Sequence, residues 1–376
     1  MIEPLDEWCL EDEIVYLNHA AVSPWPRRTV EAISRFALEN STHGSLHYPL
    51  WIKKETELKK QLATLINAKS LNDIALLKNT SEALSIIAHG LQWKTGDNIV
   101  TSNQEFPSNR IPWESLKDQG VETRLASLQS SSPEQSLMDT CDENTRLLSI
   151  SSIQYASGLV MDLDVLGAFC KKQNILFCVD AIQSLGVLPF DVQTCQADFV
   201  AADGHKWMCG PEGLALFYCR PELREQLLLR QFGWHMVEDL GNYDRMDWQA
   251  AKTARRFECG SPNMLGIFGL SASLSLLLET GIEQVSKEIL KKSRFLMQNL
   301  KKIPDIKLIS PEEDGRFGGI VSFSHSGGKT SDLFQFLQQH GIFCALRAGG
   351  IRLSPHFYTP ESKLEKVVEL VQVYKA

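Results

Sequence analysis

Long apolar runs are missing from this 376-residue chain. None reaches the roughly 18 residues that a membrane-spanning helix needs, so no membrane partner is expected. Basic blocks are missing too. Lysine and arginine number 38 against 46 aspartates and glutamates, a net charge of −8, and no basic stretch is interleaved with aromatics. Nucleic acid is therefore not an expected partner. Paired cysteines are absent. The nine cysteines stand singly, and none forms a Cys-x-x-Cys pair. That excludes a disulfide framework and the usual zinc spacings, so no metal site is expected. Free thiols in a reducing cytoplasm fit this usage. The opening stretch "MIEPLDEWCLEDE" is acidic and lacks the apolar core of a secretory leader, which also points to the cytoplasm. Internal repeats and low-complexity segments are lacking as well.

What is present is alternation. "ETELKKQLATLI" and "NTSEALSIIAHGL" have apolar residues at helical spacing, and the second opens on polar capping residues. "DNIVTS", "RLLSISSI", "NILFCVDA", "ADFVAAD" and "GLALFYC" read as strands, with "DVLGAFCKKQ" as a helix among them. Helices alternating with apolar strands predict an α/β domain with a largely parallel sheet. Past Arg255 the texture changes to a long apolar helix, a charged helix, and shorter strands and helices. The predicted division is an N-terminal segment, 1–20, packing near the active site, a large domain, 21–255, and a small α+β domain, 256–376.

Ligands of open parallel sheets bind beyond the carboxyl ends of the strands. The polar residues there are Asn79 to Glu82, Glu105 with Phe106, Gln154 with Tyr155, Asp180 with Gln183, and Asp203 with His205 and Lys206. Asp180 ends a strand that is otherwise apolar, where a carboxylate costs free energy unless it meets a cation or a strong donor. Lys206 follows the next strand pattern. The pair could be a structural ion bridge, or both could touch one cofactor. Pyridoxal phosphate (PLP) needs a lysine for its Schiff base and a carboxylate for its pyridine nitrogen. It also needs a flat side chain on its ring and a phosphate cradle at a helix N-terminus. Lys206, Asp180, Phe106 and "NTSEAL" supply these in order.

The segments "VDAIQSLG" and "DGHKWMCGPEG", supported by "RRFECGSPN" and "IRLSPHFY", resemble the class V aminotransferase family of fold-type I PLP enzymes. The likeness runs from "YLNHAAVSPWP" to "IRLSPHFYTPESKLEKVVEL". Its texture is most similar to the isopenicillin N epimerase-like and general aminotransferase branch. The resemblance implies a mostly parallel seven-stranded sheet, a smaller C-terminal domain and a homodimer with shared active sites. It implies that Lys206 holds PLP covalently, Asp180 pairs with the ring nitrogen and Gln183 meets the phenolic oxygen. Phe106 would stack on the ring. Thr80, Ser81 and His205 would bind the phosphate, and Ser261 would reach the phosphate of the partner subunit's cofactor. Arg352 would clamp the α-carboxylate of an amino-acid substrate, and His19 is a candidate substrate contact.

The chain departs from the desulfurase pattern of this family. Desulfurases usually stack a histidine where Phe106 stands, and a phenyl ring cannot shuttle protons. They also carry a mobile loop with a nucleophilic cysteine ahead of the arginine, for which "ALRAGGIRLS" leaves no room. Cys344, inside "GIFCAL", reads as core. Asp203 stands where relatives often have serine or threonine, and is expected to point away from phosphate or to bind a backbone amide. The roles of Gln154 and Tyr155 stay open. His43 and His47 could line the entrance from a partner subunit, while Trp234 and His235 read as packing, with a partner-subunit contact as the alternative. "SHSGGKT" fails as a P-loop because Phe323 stands where the first glycine is required. The expected activity is α-carbanion chemistry on an amino acid, of aminotransferase type. The alternatives are a cysteine desulfurase or C–S lyase, an amino-acid epimerase, and a non-enzymatic scaffold.

Overall fold

The computed structural model describes residues 4–374 and contains the expected α/β architecture. Seven strands form one sheet in the spatial order Ile74–Leu77, Ala215–Cys219, Phe199–Asp203, Leu176–Asp180, Thr145–Ser151, Asn98–Ser102, Glu122–Ala126. Six share one direction; Ala215–Cys219 runs antiparallel to both neighbours. Every residue of the Phe199–Asp203 and Ala215–Cys219 strands is buried. That is why they read as unbroken apolar runs and not as alternating ones: helices cover both sheet faces. One face carries a core with Val100, Leu148, Val179 and Val200, and the other a core with Ile99, Leu147, Cys178 and Phe199.

The smaller sheet is antiparallel, in the order Ala345–Arg347, Gly350–Leu353, Val321–His325, Ile306–Leu308. Its own core contains Leu296, Leu300, Val321, Phe323, Leu333, Ile351, Leu364 and Val367. Val15 and Leu17 belong to this core as well, because Val15–Tyr16 pairs in parallel with Ile342–Phe343. The expected 1–20 segment is therefore no separate unit. It crosses from the small core at Leu17 to the large core at Ala20.

The boundary expected at 255/256 is corrected too. Helix Met264–Thr280 packs on the large domain. Ile267, Leu270, Leu274 and Leu277 lie in the large core, Ser273 Oγ donates to the carbonyl of Cys209 at 2.8 Å, and Gln61 Nε2 donates to that of Ser271 at 3.1 Å. The division falls inside helix Ile282–Leu300. Val285 and Ile289 face the first core, and Leu296 to Leu300 the second. Among the described residues no single helix is long and apolar enough to cross a membrane.

The carboxyl ends of the central strands meet at one rim, where Ser102, Ser151, Asp180 and Asp203 all end their strands. The turn after Asp180 is pressed against the backbone after Lys206. Gly186 has φ +94°, and a β-carbon there would lie 2.4 Å from the carbonyl oxygen of Trp207. Only glycine meets both demands. Gly186→Ala is expected to destabilise the fold by about 2 kcal/mol or more. Urea unfolding at equilibrium checks this, and a midpoint equal to the wild type's would contradict it.

Candidate active site

Asp180 is buried at the end of its strand, where Oδ1 accepts a hydrogen bond from the Ile182 amide at 3.0 Å. Lys206 follows the adjacent strand, whose Ala201 pairs with Asp180. Burial pushes the Asp180 carboxyl up, and the Glu105 carboxylate adds to this. The Ile182 amide and the Lys206 charge oppose it. Burial pushes the Lys206 amine down, against the pull of Asp180, and the charges of Arg352 and Arg347 lower it further. Each group is strained alone and supported by the other. The lowered amine holds its proton loosely, as a base working near neutrality must.

Lys206 Nζ lies 5.7 Å from the centre of the Phe106 ring, so amine and phenyl face one another. The edge of Tyr155 meets the same ring at 5.2 Å. Phe106 is held by its neighbour. The buried Glu105 carboxylate accepts from Ser102 Oγ, the Ser151 amide, Gln154 Nε2 and Asn109 Nδ2, at 2.8 to 3.2 Å. Sequence reading gathered Glu105 as a strand-end polar residue but gave it no task. Here it ties three segments of the rim together. Gln154 and Tyr155 both take part in this scaffold. Gln154 serves Glu105. The Tyr155 carbonyl accepts from Arg352 Nη1 at 2.8 Å.

Arg352 is 2% exposed, and its Nε is buried without a partner. Burial and the charge of Arg347 push the guanidinium down to about 10. A carboxylate bound there would satisfy the free Nε–H and return the lost charge balance. Gln183 is also buried. Its Oε1 accepts from Trp207 Nε1 at 2.7 Å and its Nε2 donates to the Ala20 carbonyl at 3.0 Å, which leaves one N–H for a ligand.

At the start of helix Thr80–Gly90, Asn79 Oδ1 caps the Glu82 amide at 2.8 Å. Both Thr80 donors are taken: its amide and hydroxyl reach Asp203 Oδ2 at 3.0 and 3.1 Å. Asp203 thus binds a backbone amide, as expected. The expectation that Thr80 binds phosphate is corrected, since its donors are already used. The Ser81 hydroxyl donates to Ser108 Oγ at 2.9 Å, and its amide is the first-turn N–H left to a ligand. His205 Nδ1 is buried without a hydrogen-bond partner.

His19 is a correction. It is fully buried, with Nδ1 2.7 Å from the Ser354 carbonyl and Nε2 2.6 Å from the Tyr358 hydroxyl. Burial drives it down to about 4. Both ring nitrogens are used, so His19 fastens the N-terminal segment to the small domain and does not face substrate. Ser261 is exposed on the loop before helix Met264–Thr280. His43 and His47 neighbour each other, 5.4 Å between ring centres, near the join of helices Arg27–His43 and Tyr48–Leu65. His235 is buried beside Glu258. Glu55, His235 and Glu258 could by type ligate a metal, but the Lys59 ammonium bridges the two carboxylates at 2.9 and 2.8 Å. The cluster is an ion bridge.

Cys344 lies in the small core, where burial pushes its thiol up to about 12. The strands after it are joined by only Ala348 and Gly349, with φ of +46° and +78°, the geometry of a two-residue hairpin. No mobile loop precedes Arg352.

The residues present fit PLP. The orphaned Nδ1 of His205 and Nε of Arg352, the Ser81 amide, the Phe106 face and the Asp180–Lys206 pair converge on one rim. The model of the family "Aminotransferase class-V" matches residues 15–361. The chain belongs to this family. It is a PLP-dependent enzyme of that family. It is 30% identical to a probable cysteine desulfurase of Methanothermobacter thermautotrophicus, over 95% of this chain and 94% of that one. The apo cysteine desulfurase of Thermococcus onnurineus superposes with a TM-score of 0.85 at 25% identity, covering 96% and 94%. The cystine C–S lyase C-DES, solved with its product cysteine persulfide, superposes at 0.88 and 22%, covering 97% and 99%, a likeness of fold alone. Borohydride reduction of the PLP-loaded enzyme is expected to leave the pyridoxyl label on Lys206. Peptide mapping checks this, and a label on any other lysine would sink the assignment.

Proposed function

We propose that the enzyme removes the α-proton of an α-amino acid and exchanges its amino group, as an aminotransferase does, with no protein thiol taking part. The observation that carries this reading is the short hairpin before Arg352, with Cys344 sealed in the core behind it. Bound PLP supplies the electron sink. This chain's residues do the rest. Arg352 orients the substrate by its α-carboxylate, in the plane that its bidentate fork imposes. Lys206 Nζ, eased toward its neutral form by burial, carries the α-proton. Asp180 holds the positive charge of the ring nitrogen at depth. Phe106 would cover the ring and can move no proton, which leaves proton transfer to Lys206.

A second reading has its own support. Relatives at 28 to 30% identity bear the name cysteine desulfurase, which favours a sulfur-bearing substrate. Cleavage of a C–S bond here would proceed by β-elimination, with sulfide or a small persulfide leaving directly. A protein persulfide needs an exposed, mobile thiolate. Eight of the nine cysteines are buried or half-buried, and the exposed Cys9 stands beside Arg27 near the N-terminus.

The proposal extends to assembly and place. Leu46, Tyr243, Met246 and Trp248 are exposed, Met246 by 91%, an apolar display that a second copy would cover. Ser261 would then complete the partner's site. Nine unpaired thiols suit the cytoplasm.

Amino acids are to be offered one by one, with product analysis. Keto-acid formation that consumes the visible band of the bound cofactor, without sulfide, is the expected result. Sulfide release from cysteine or cystine would turn the reading to a C–S lyase. Cys344→Ser should stay within a few-fold of wild type in either case; abolished sulfur release in a folded, PLP-loaded variant would revive a protein persulfide. Light scattering of the loaded enzyme should give twice the chain mass. A monomer with full activity would refute the shared site.

A further inference from the structure

Asp203 stands where the cofactor's anion has to be received. Helix Thr80–Gly90 points its N-terminus at the end of the Phe199–Asp203 strand, and that terminus carries partial positive charge. The anion already present there is a side chain. Asp203 is 7% exposed. Its Oδ2 takes the Thr80 amide and hydroxyl, and its own amide donates back to Thr80 Oγ1 at 3.1 Å. Its Oδ1 lies 3.7 Å from His205 Nδ1, the imidazole nitrogen that lacks a hydrogen-bond partner. The first turn thus spends one amide on Asp203 and another on Asn79.

We propose that Asp203 competes with the cofactor's phosphate for this seat. The inference rests on reading the rim as the PLP site. The carboxylate acts in two ways. It withholds the two Thr80 donors that a phosphate would otherwise use. It also sets a negative charge beside the incoming dianion, within a half-buried site where like charges repel strongly. A hydroxyl residue at this position would donate to the phosphate. Asp203 repels it and draws the His205 imidazole toward itself. The phosphate therefore adds less to binding than the helix terminus could offer, and the chain separates PLP only weakly from its phosphate-free counterpart, pyridoxal.

The two ligands share ring and aldehyde, so their linkage to Lys206 cancels in the ratio of their dissociation constants. That ratio is to be measured by titrating the cofactor-stripped full chain, as wild type, Asp203→Ser and Asp203→Asn. Asn keeps the shape and an acceptor for the Thr80 amide while removing the charge. The preference for PLP over pyridoxal should rise tenfold or more in both variants. Inorganic phosphate gives a reading free of the aldehyde, and its affinity should rise in Asp203→Asn by a similar factor. A residue that only staples strand to helix would weaken both ligands equally, and an unchanged or reduced ratio overturns the proposal. Wild-type protein that binds neither PLP nor pyridoxal would instead overturn the PLP site itself, and this inference with it.

Discussion

A carboxylate and an amine stand buried at the ends of neighbouring strands, and neither is comfortable there alone. The rest of the rim is arranged around that constraint. Glu105 places a second buried carboxylate near Asp180 and is itself tolerated because amide and hydroxyl donors from three segments converge on it. Arg352 brings a second cation toward Lys206 and keeps its buried Nε–H unspent. The result is a surplus of positive potential over one face of Phe106 and of negative potential at depth. On the reading proposed above, an amino acid bound to the cofactor would match that polarity, with its carboxylate at the arginine and the ring nitrogen toward Asp180.

The site is assembled by both cores. The large domain supplies Asp180, Lys206, Phe106 and the helix start, and the small domain supplies Arg352. The bond from Arg352 to the Tyr155 carbonyl crosses between them, as does that from Ser322 Oγ to the Ala156 carbonyl. The small sheet is thereby held against the loop that follows strand Thr145–Ser151. The tight turn at Ala348 and Gly349 leaves its end short, so the wall it presents beside Arg352 is a strand edge. Chemistry at such a wall depends on placed groups and not on a travelling one.

The strand ends were legible in the sequence because a lone polar residue closing an apolar run has few reasons to be there. Asp180 closes its strand and Lys206 follows the end of the next, as that logic has it, while Arg352, inside strand Gly350–Leu353, was named by family resemblance. What could not be read depends on contacts far away along the chain. His19 looks like a site residue until Tyr358 and Ser354 take both its nitrogens, more than 330 residues later. Thr80 looks like a phosphate ligand until Asp203 folds onto it from 123 residues away. The domain boundary was misplaced for a different reason. Helix Met264–Thr280 is apolar in sequence on nearly every side, and such a helix carries no stripe to say which core it serves.

The pairing of Val15–Tyr16 with Ile342–Phe343 has a consequence for how the chain is made. Synthesis proceeds from the N-terminus at about 5–20 residues per second, and domains tend to fold as they emerge. Here the first strand to leave the ribosome must wait for nearly the last. The large sheet, complete by Cys219, can form while residues 15–17 still hang free. Only after the small core closes does the segment lie down, bringing the Ala20 carbonyl to Gln183 and the Ser23 amide to His205. The N-terminal segment is therefore seated last, and a ribosome stalled before residue 342 carries a large domain that still lacks Arg352.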